Sequence, residues 1–305
     1  MGKVLKLVQP KTWEEYFEEF LLQKQIEGLR PRTLEDYRYH INHFFNRANL
    51  EDWESIQKRV KEYFTENIAP ATFNTRQKTL KAFFRYLVGQ GAIPANPITF
   101  KKRKEEGKAR TIPKEVVEKL LKLPEQKTFT GLRNYTLILL TLDTGIRPGE
   151  ALRLLPENFN LEGREVTILP GVAKTKTQRT LPLSPLTCLW VKKLLSVRPN
   201  SWRESIPVFC SQDGKPLQVN SWSHILAKYS KKLGYKVTPY DLRHTFALYS
   251  LREGMNPFAL QRILGHTDLT MTKRYLALTQ QDLQKEHEKS SPVNLFTKKR
   301  VRKLH

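Results

Sequence analysis

Cysteine is nearly absent: Cys188 and Cys210 are the two in 305 residues. Two cysteines exclude a disulfide framework, and their spacing is not that of a metal-binding pair. Both are expected to be buried apolar residues in a reducing cytosol. The seven histidines form no HExxH or other paired metal spacing. No apolar run reaches the roughly 18 residues of a spanning helix. The opening, MGKVLKLVQPKTWEEYF, has no sustained apolar stretch and no small-residue cleavage site, so no signal peptide is expected. Lys6 stands where a myristoylation signal needs Ser or Thr. Internal repeats and low-complexity tracts are lacking too.

Negative charge is scarce. Lys and Arg total 53 against 30 Asp and Glu, a formal net charge of +23. That imbalance fits a partner that is a polyanion. The length favours two domains.

Residues 12–91 read as helices with short breaks. TWEEYFEEFLLQKQ has Thr12 as a cap and apolar residues at helical spacing (Trp13, Tyr16, Phe17, Phe20, Leu21). TLEDYRYHINHFFNRA opens on a near capping box, Thr33 with Asp36. WESIQKRVKEYF and TFNTRQKTLKAFFRYLVGQG complete the set, the last stopped by Gly89, Gly91, Pro94 and Pro97. Lys78, Lys81 and Arg85 are expected on exposed faces. Residues 98–112, polar and charged, read as a linker.

The second half is mixed. GLRNYTLILLTLDTG is a strongly apolar helix, and GEALRLLPENF a short helix broken at Pro156. REVTILP and QRTLPLS are β-like runs flanking the turn-rich GVAKTKT. SPLTCLWVKKLLS and NSWSHILAKYSKKLG are amphipathic helices. TPYDLRHTFALYSLREG and NPFALQRILG each open with a cap followed by Pro, and TDLTMTKRYLAL is a further helix. The expected fold is mainly α with a small β-sheet: residues 1–97 a helical domain, 98–112 the linker, 113–290 a mixed α/β domain, 291–305 a tail. The tail carries Val293, Leu295 and Phe296, which are either disordered or docked on a neighbouring subunit.

If the polyanion is DNA and the chain cuts it, the reaction needs a nucleophile, cations on the phosphate oxygens and a proton donor for the leaving oxygen. No carboxylate cluster suited to metal ions is visible, so the protein itself must supply the charge, best through arginine. Four stretches carry such groups. TGIRPGEALRL offers Arg147 and Glu150. The hairpin turn offers Lys174, with Lys176 as its neighbour. YDLRH puts Tyr240 and Arg243 three apart on a helix, on a shared face, with His244 one step round. LGHTDLTMTKRY offers His266 and Tyr275. Singly, each has a plainer reading as a surface ion pair, a turn lysine or a packing aromatic.

Together, in this order and spacing, the stretches resemble the tyrosine recombinases, or phage integrases, over nearly the whole chain. TGIRPGEALRL resembles the first arginine box, LRHTFA the second, and LGHTDLTMTKRY the histidine-to-tyrosine box. Lys174, eight residues before Pro182, matches the β-hairpin lysine. The resemblance implies a helical, SAM-like core-binding domain and a mixed catalytic domain. It implies that Arg147 and Arg243 clamp the scissile phosphate, Glu150 supports the site, Lys174 is the general acid, His266 hydrogen-bonds the phosphate and Tyr275 attacks. His244 matches a structural histidine. Where the family usually has His, this chain has Tyr240, a phenol that can donate to phosphate but not carry positive charge.

The implied activity is site-specific recombination of double-stranded DNA with no cofactor and no metal. It runs through a 3′-phosphotyrosine and a Holliday junction, in a homo-oligomer, a tetramer on two DNA sites, serving integration, excision or resolution of a mobile element or replicon. An accessory DNA-bending or directionality protein is compatible, a membrane is not, and the expected location is the cytoplasm, at the nucleoid. With no arm-binding domain seen before residue 12, the expected type is a compact recombinase. The rivals are a nicking-closing enzyme like the type IB topoisomerases and a DNA-binding accessory protein that does not cut.

Overall fold

The computed structural model describes residues 11–46, 52–104, 110–170, 178–265, 287–288 and 290–293. The chain divides into two compact units, Met1–Glu106 and Gly107–His305.

In the first unit four helices follow one another: α1 Trp13–Ile26, α2 Pro31–Phe45, α3 Trp53–Thr65 and α4 Pro70–Gly89. Thr12 caps α1 in a capping box, its backbone N–H donating to Glu15 Oε2 at 2.8 Å. The near capping box at Thr33 and Asp36 is not used. Pro31 starts α2 three residues earlier, with Arg30 as N-cap in place of Thr33, because Pro at the first helical position is preorganised for a helix. The core is mostly aromatic. Phe83 is fully buried, its ring edge-on to Phe17, Phe20 and Phe45.

The stretch 98–112 is tied down at both ends. Ile98 is buried in the first core, Phe100 packs against it, and Gln77 donates to the Phe100 carbonyl. Ile112 is fully buried in the second core, and its N–H donates to Thr245 Oγ1 at 2.9 Å. These apolar residues were hidden among charges in the sequence pattern.

The second unit holds α5 Lys114–Leu121, which the sequence reading missed, and α6 Phe129–Thr144, α7 Pro148–Ala151, α8 Pro185–Ser196, α9 Val219–Leu233, α10 Pro239–Arg252 and α11 Pro257–Leu264. Its sheet is β1 Phe159–Asn160, β2 Glu165–Ile168 and β3 Arg179–Pro182, antiparallel in that order, with Ile168 paired to Arg179. β1 is a third strand beyond the expected pair; at two residues it is too short to show a period. The short helix expected to break at Pro156 ends earlier, at Ala151, and Pro156 opens a separate 3₁₀ turn. The core is aliphatic apart from Phe209 and Trp222. Cys210 is buried, whereas Cys188, packed against this core, is only half-buried.

Candidate active site

Five elements of the second unit end at one place. Gly145 closes α6 in the left-handed region, φ 62°. A Cβ there would collide with the Phe246 ring and approach Leu264 Cδ2 to 2.8 Å, so the chain can turn this tightly only at glycine. Two residues on stands Arg147, held extended before Pro148. As the N-cap of α7 it lies one short turn from Glu150. Its Nη1 donates to Glu150 Oε1 at 3.1 Å and its Nη2 to the Gly265 carbonyl at 2.8 Å.

Arg243 arrives from α10. Thr238 caps that helix, Pro239 takes the first helical position, and Asp241 closes the capping box. Arg243 is 4% exposed. Its Nη1 donates to the Gly145 carbonyl at 2.5 Å and its Nη2 to the Leu264 carbonyl at 2.9 Å. A guanidinium this deep keeps its charge only if its donors find acceptors, and the closing carbonyls of α6 and α11 are those acceptors. Arg147 and Arg243, ninety-six positions apart in sequence, therefore meet at the end of α11.

Glu150 is 2% exposed. Burial alone would raise its pKa. The hydrogen bond and charge of Arg179, with the charge of Arg147, outweigh that and hold it below the ordinary carboxylate range. Arg179, on β3, was missed in the sequence. Its Nη2 reaches Glu150 Oε2 at 2.5 Å, its Nη1 reaches Oε1 at 3.3 Å, and its Nε donates to the Ile263 carbonyl at 3.3 Å. A signal existed: Arg179 and Leu181 lie two apart on one strand, and Leu181 is buried. An arginine on the inward side of a strand requires a buried acceptor.

Tyr240 differs from Arg243 in burial. It shares a helix with Arg243 but is 53% exposed. It sits in the first turn, where a three-residue spacing need not bury both partners. Lys174, Lys176, His266 and Tyr275 lie outside the described residues, as do Leu295 and Phe296 of the tail; Val293 is 59% exposed. Among the described residues no group of three or more His, Cys, Asp or Glu could hold a metal ion, and no helix is long and apolar enough to cross a membrane.

The phage integrase family profile matches residues 110–282. The chain belongs to this family, the tyrosine recombinases. It is a site-specific DNA recombinase. It is 28% identical over 302 residues to the tyrosine recombinase XerC of Thermodesulfovibrio yellowstonii, covering 92% of this chain and 97% of that one. It is 30% identical over 252 residues to XerD of Lacticaseibacillus casei, covering 79% and 84%. In fold the recombinase is similar to the Tn1549 transposon integrase in complex with circular intermediate DNA, with TM-score 0.74, 20% identity and coverage of 92% of this chain and 99% of that one. It is also similar to a lambda integrase dimer bound to a COC′ core site, with TM-score 0.71, 18% identity and coverage of 87% and 77%.

A separate basic surface lies within the first unit. Lys78, Lys81 and Arg85 on α4, with Lys101 and Lys102, line a groove of about 830 Å³. Lys78 and Arg85 are exposed and Lys81 is half-buried.

Proposed function

We propose that the recombinase cuts and rejoins double-stranded DNA through a covalent phosphotyrosine. The Tyr275 hydroxyl oxygen attacks the scissile phosphorus and gives up its proton to solvent water. The bond from phosphorus to the 5′-oxygen breaks, and that oxygen takes a proton from Lys174. Arg147 and Arg243 donate to the non-bridging oxygens, His266 adds a hydrogen bond, and Tyr240 serves as a neutral donor where the family resemblance implies a histidine. Glu150 holds Arg147. One phosphodiester is exchanged for another, so a 5′-hydroxyl from a second duplex can reverse the step with no outside energy source.

The observation that carries this reading is the meeting of Arg147 and Arg243 on the carbonyls of Leu264 and Gly265, one peptide bond before His266. Guanidinium forks match phosphate geometry and supply charge without a metal. Both similar integrases are complexes with DNA, which supports DNA as the partner. The first unit acts as the core-binding domain, with the α4 groove following the backbone. Exchange runs through a Holliday junction in a tetramer on two sites, in the cytoplasm at the nucleoid, in the service of a mobile element or replicon. An accessory bending or directionality protein fits this scheme.

The test is a nicked suicide duplex incubated with the protein in EDTA. A protein–DNA adduct is expected with the wild type and none with Tyr275→Phe. An adduct that survives Tyr275→Phe overturns the nucleophile; no wild-type adduct overturns the cutting reaction. A junction product from two marked sites separates recombination from nicking and closing.

A further inference from the structure

We propose that Arg179 is a positioning residue for strand cleavage, holding Glu150 and the end of α11 so that Arg147 presents its guanidinium to the phosphate. This rests on the phosphate-clamping role of Arg147.

The two arginine side chains share the carboxylate unequally. Arg179 covers both oxygens of Glu150, Nη2 on Oε2 at 2.5 Å and Nη1 on Oε1 at 3.3 Å, whereas Arg147 gives Oε1 its Nη1 at 3.1 Å and Oε2 only its backbone N–H at 3.3 Å. An arginine beside a buried carboxylate favours a bidentate pairing with both oxygens. Arg179 occupies the edge that Arg147 would need for it. The Arg147 guanidinium is thereby left with one donor, Nη1, on Glu150 and with Nη2 on the Gly265 carbonyl. Without Arg179, the acid at 2% exposure would draw Arg147 round to cover both oxygens. The rotation would withdraw the clamp from its task.

Arg179 also reaches α11. Its Nε donates to the Ile263 carbonyl at 3.3 Å. Gly265, at φ 62°, brings the backbone so close that a Cβ would lie 3.2 Å from Arg179 Nε and 3.4 Å from Arg147 Nη1. One strand residue thus fixes the acid, the first arginine and the helix end together. Its side chain is 10% exposed, as deep as the clamping arginines themselves, and its Nη1 and Nη2 donate to Glu150 and its Nε to the Ile263 carbonyl.

The experiment compares wild type, Arg179→Gln and Arg179→Lys on the suicide duplex. Single-turnover cleavage is read at saturating protein, DNA affinity by titration and folding by thermal melting. With Gln, the cleavage rate should fall about 100-fold through clamp misplacement while DNA affinity stays within about threefold. Lys restores the charge but only one hydrogen bond, so it should recover about tenfold of the loss. A Gln rate within about threefold of wild type overturns the proposal, since a misplaced clamp costs far more. A parallel loss of cleavage, affinity and melting temperature, with Lys no better than Gln, also overturns it and leaves a folding ion pair. A wild type that forms no adduct removes the reading of Arg147 itself, and that is seen before any substitution is compared.

Discussion

Both units bury arginine, but to different ends. In the first, Arg59 is 5% exposed, and its Nε and Nη2 donate to the carbonyls of Phe44 and His43 at 3.3 and 3.5 Å. It staples α3 to the end of α2 inside a core of stacked and edge-on rings. In the second, Arg243 is equally deep and also donates to backbone carbonyls, yet those belong to helix ends that gather two further arginines and a glutamate. Burial of a cation therefore does not mark a reactive site. What marks it is the convergence of several buried charges from remote parts of the chain on one cluster of acceptors.

The largest effect should come from breaking the aromatic core. Phe83→Ala should cost about 3–5 kcal/mol of stability by leaving a cavity among its rings, read in chemical denaturation; a loss under about 1 kcal/mol would mean the site collapses readily. The buried arginines give the sharper contrast. Arg243→Ala should slow single-turnover cleavage about 100- to 1,000-fold, as removal of a donor to developing charge does. Arg59→Ala should cost about 1–3 kcal/mol of stability by stranding carbonyls. Its cleavage rate, measured on folded, DNA-bound protein, should match wild type. Equal slowing by both substitutions would erase the distinction. The smallest effect belongs to the surface: Lys78→Ala with Arg85→Ala should lower the slope of log affinity against log salt by about 2, near one unit for each phosphate no longer neutralised.

Much of this was legible in sequence because caps and glycine stops are local. Thr12, Thr238 and Asn256 start helices where their side chains meet backbone N–H groups, and Gly145 and Gly265 end them. The Arg147, Glu150 and Arg243 set was also readable, since each lies in a distinctive short stretch. Arg179 was not. Its partner Glu150 lies twenty-nine residues earlier, and although the alternation with Leu181 turns it inward, nothing local names the acid it meets. The anchoring of Ile98 and Ile112 was masked by charged neighbours. The exposure of Tyr240 depends on tertiary packing, which helical spacing alone does not reveal.

The end of α11 has one more consequence. There Arg147 and Arg179 pair with Glu150 while Arg243 holds the neighbouring carbonyls of Gly145 and Leu264, so among these described residues three positive groups and one negative leave a surplus of two. The partial charges of carbonyls at helix C-termini offset part of it. Such a cradle weighs charge before shape. A methylphosphonate linkage, matching the phosphodiester in outline but uncharged, would give up most of that attraction.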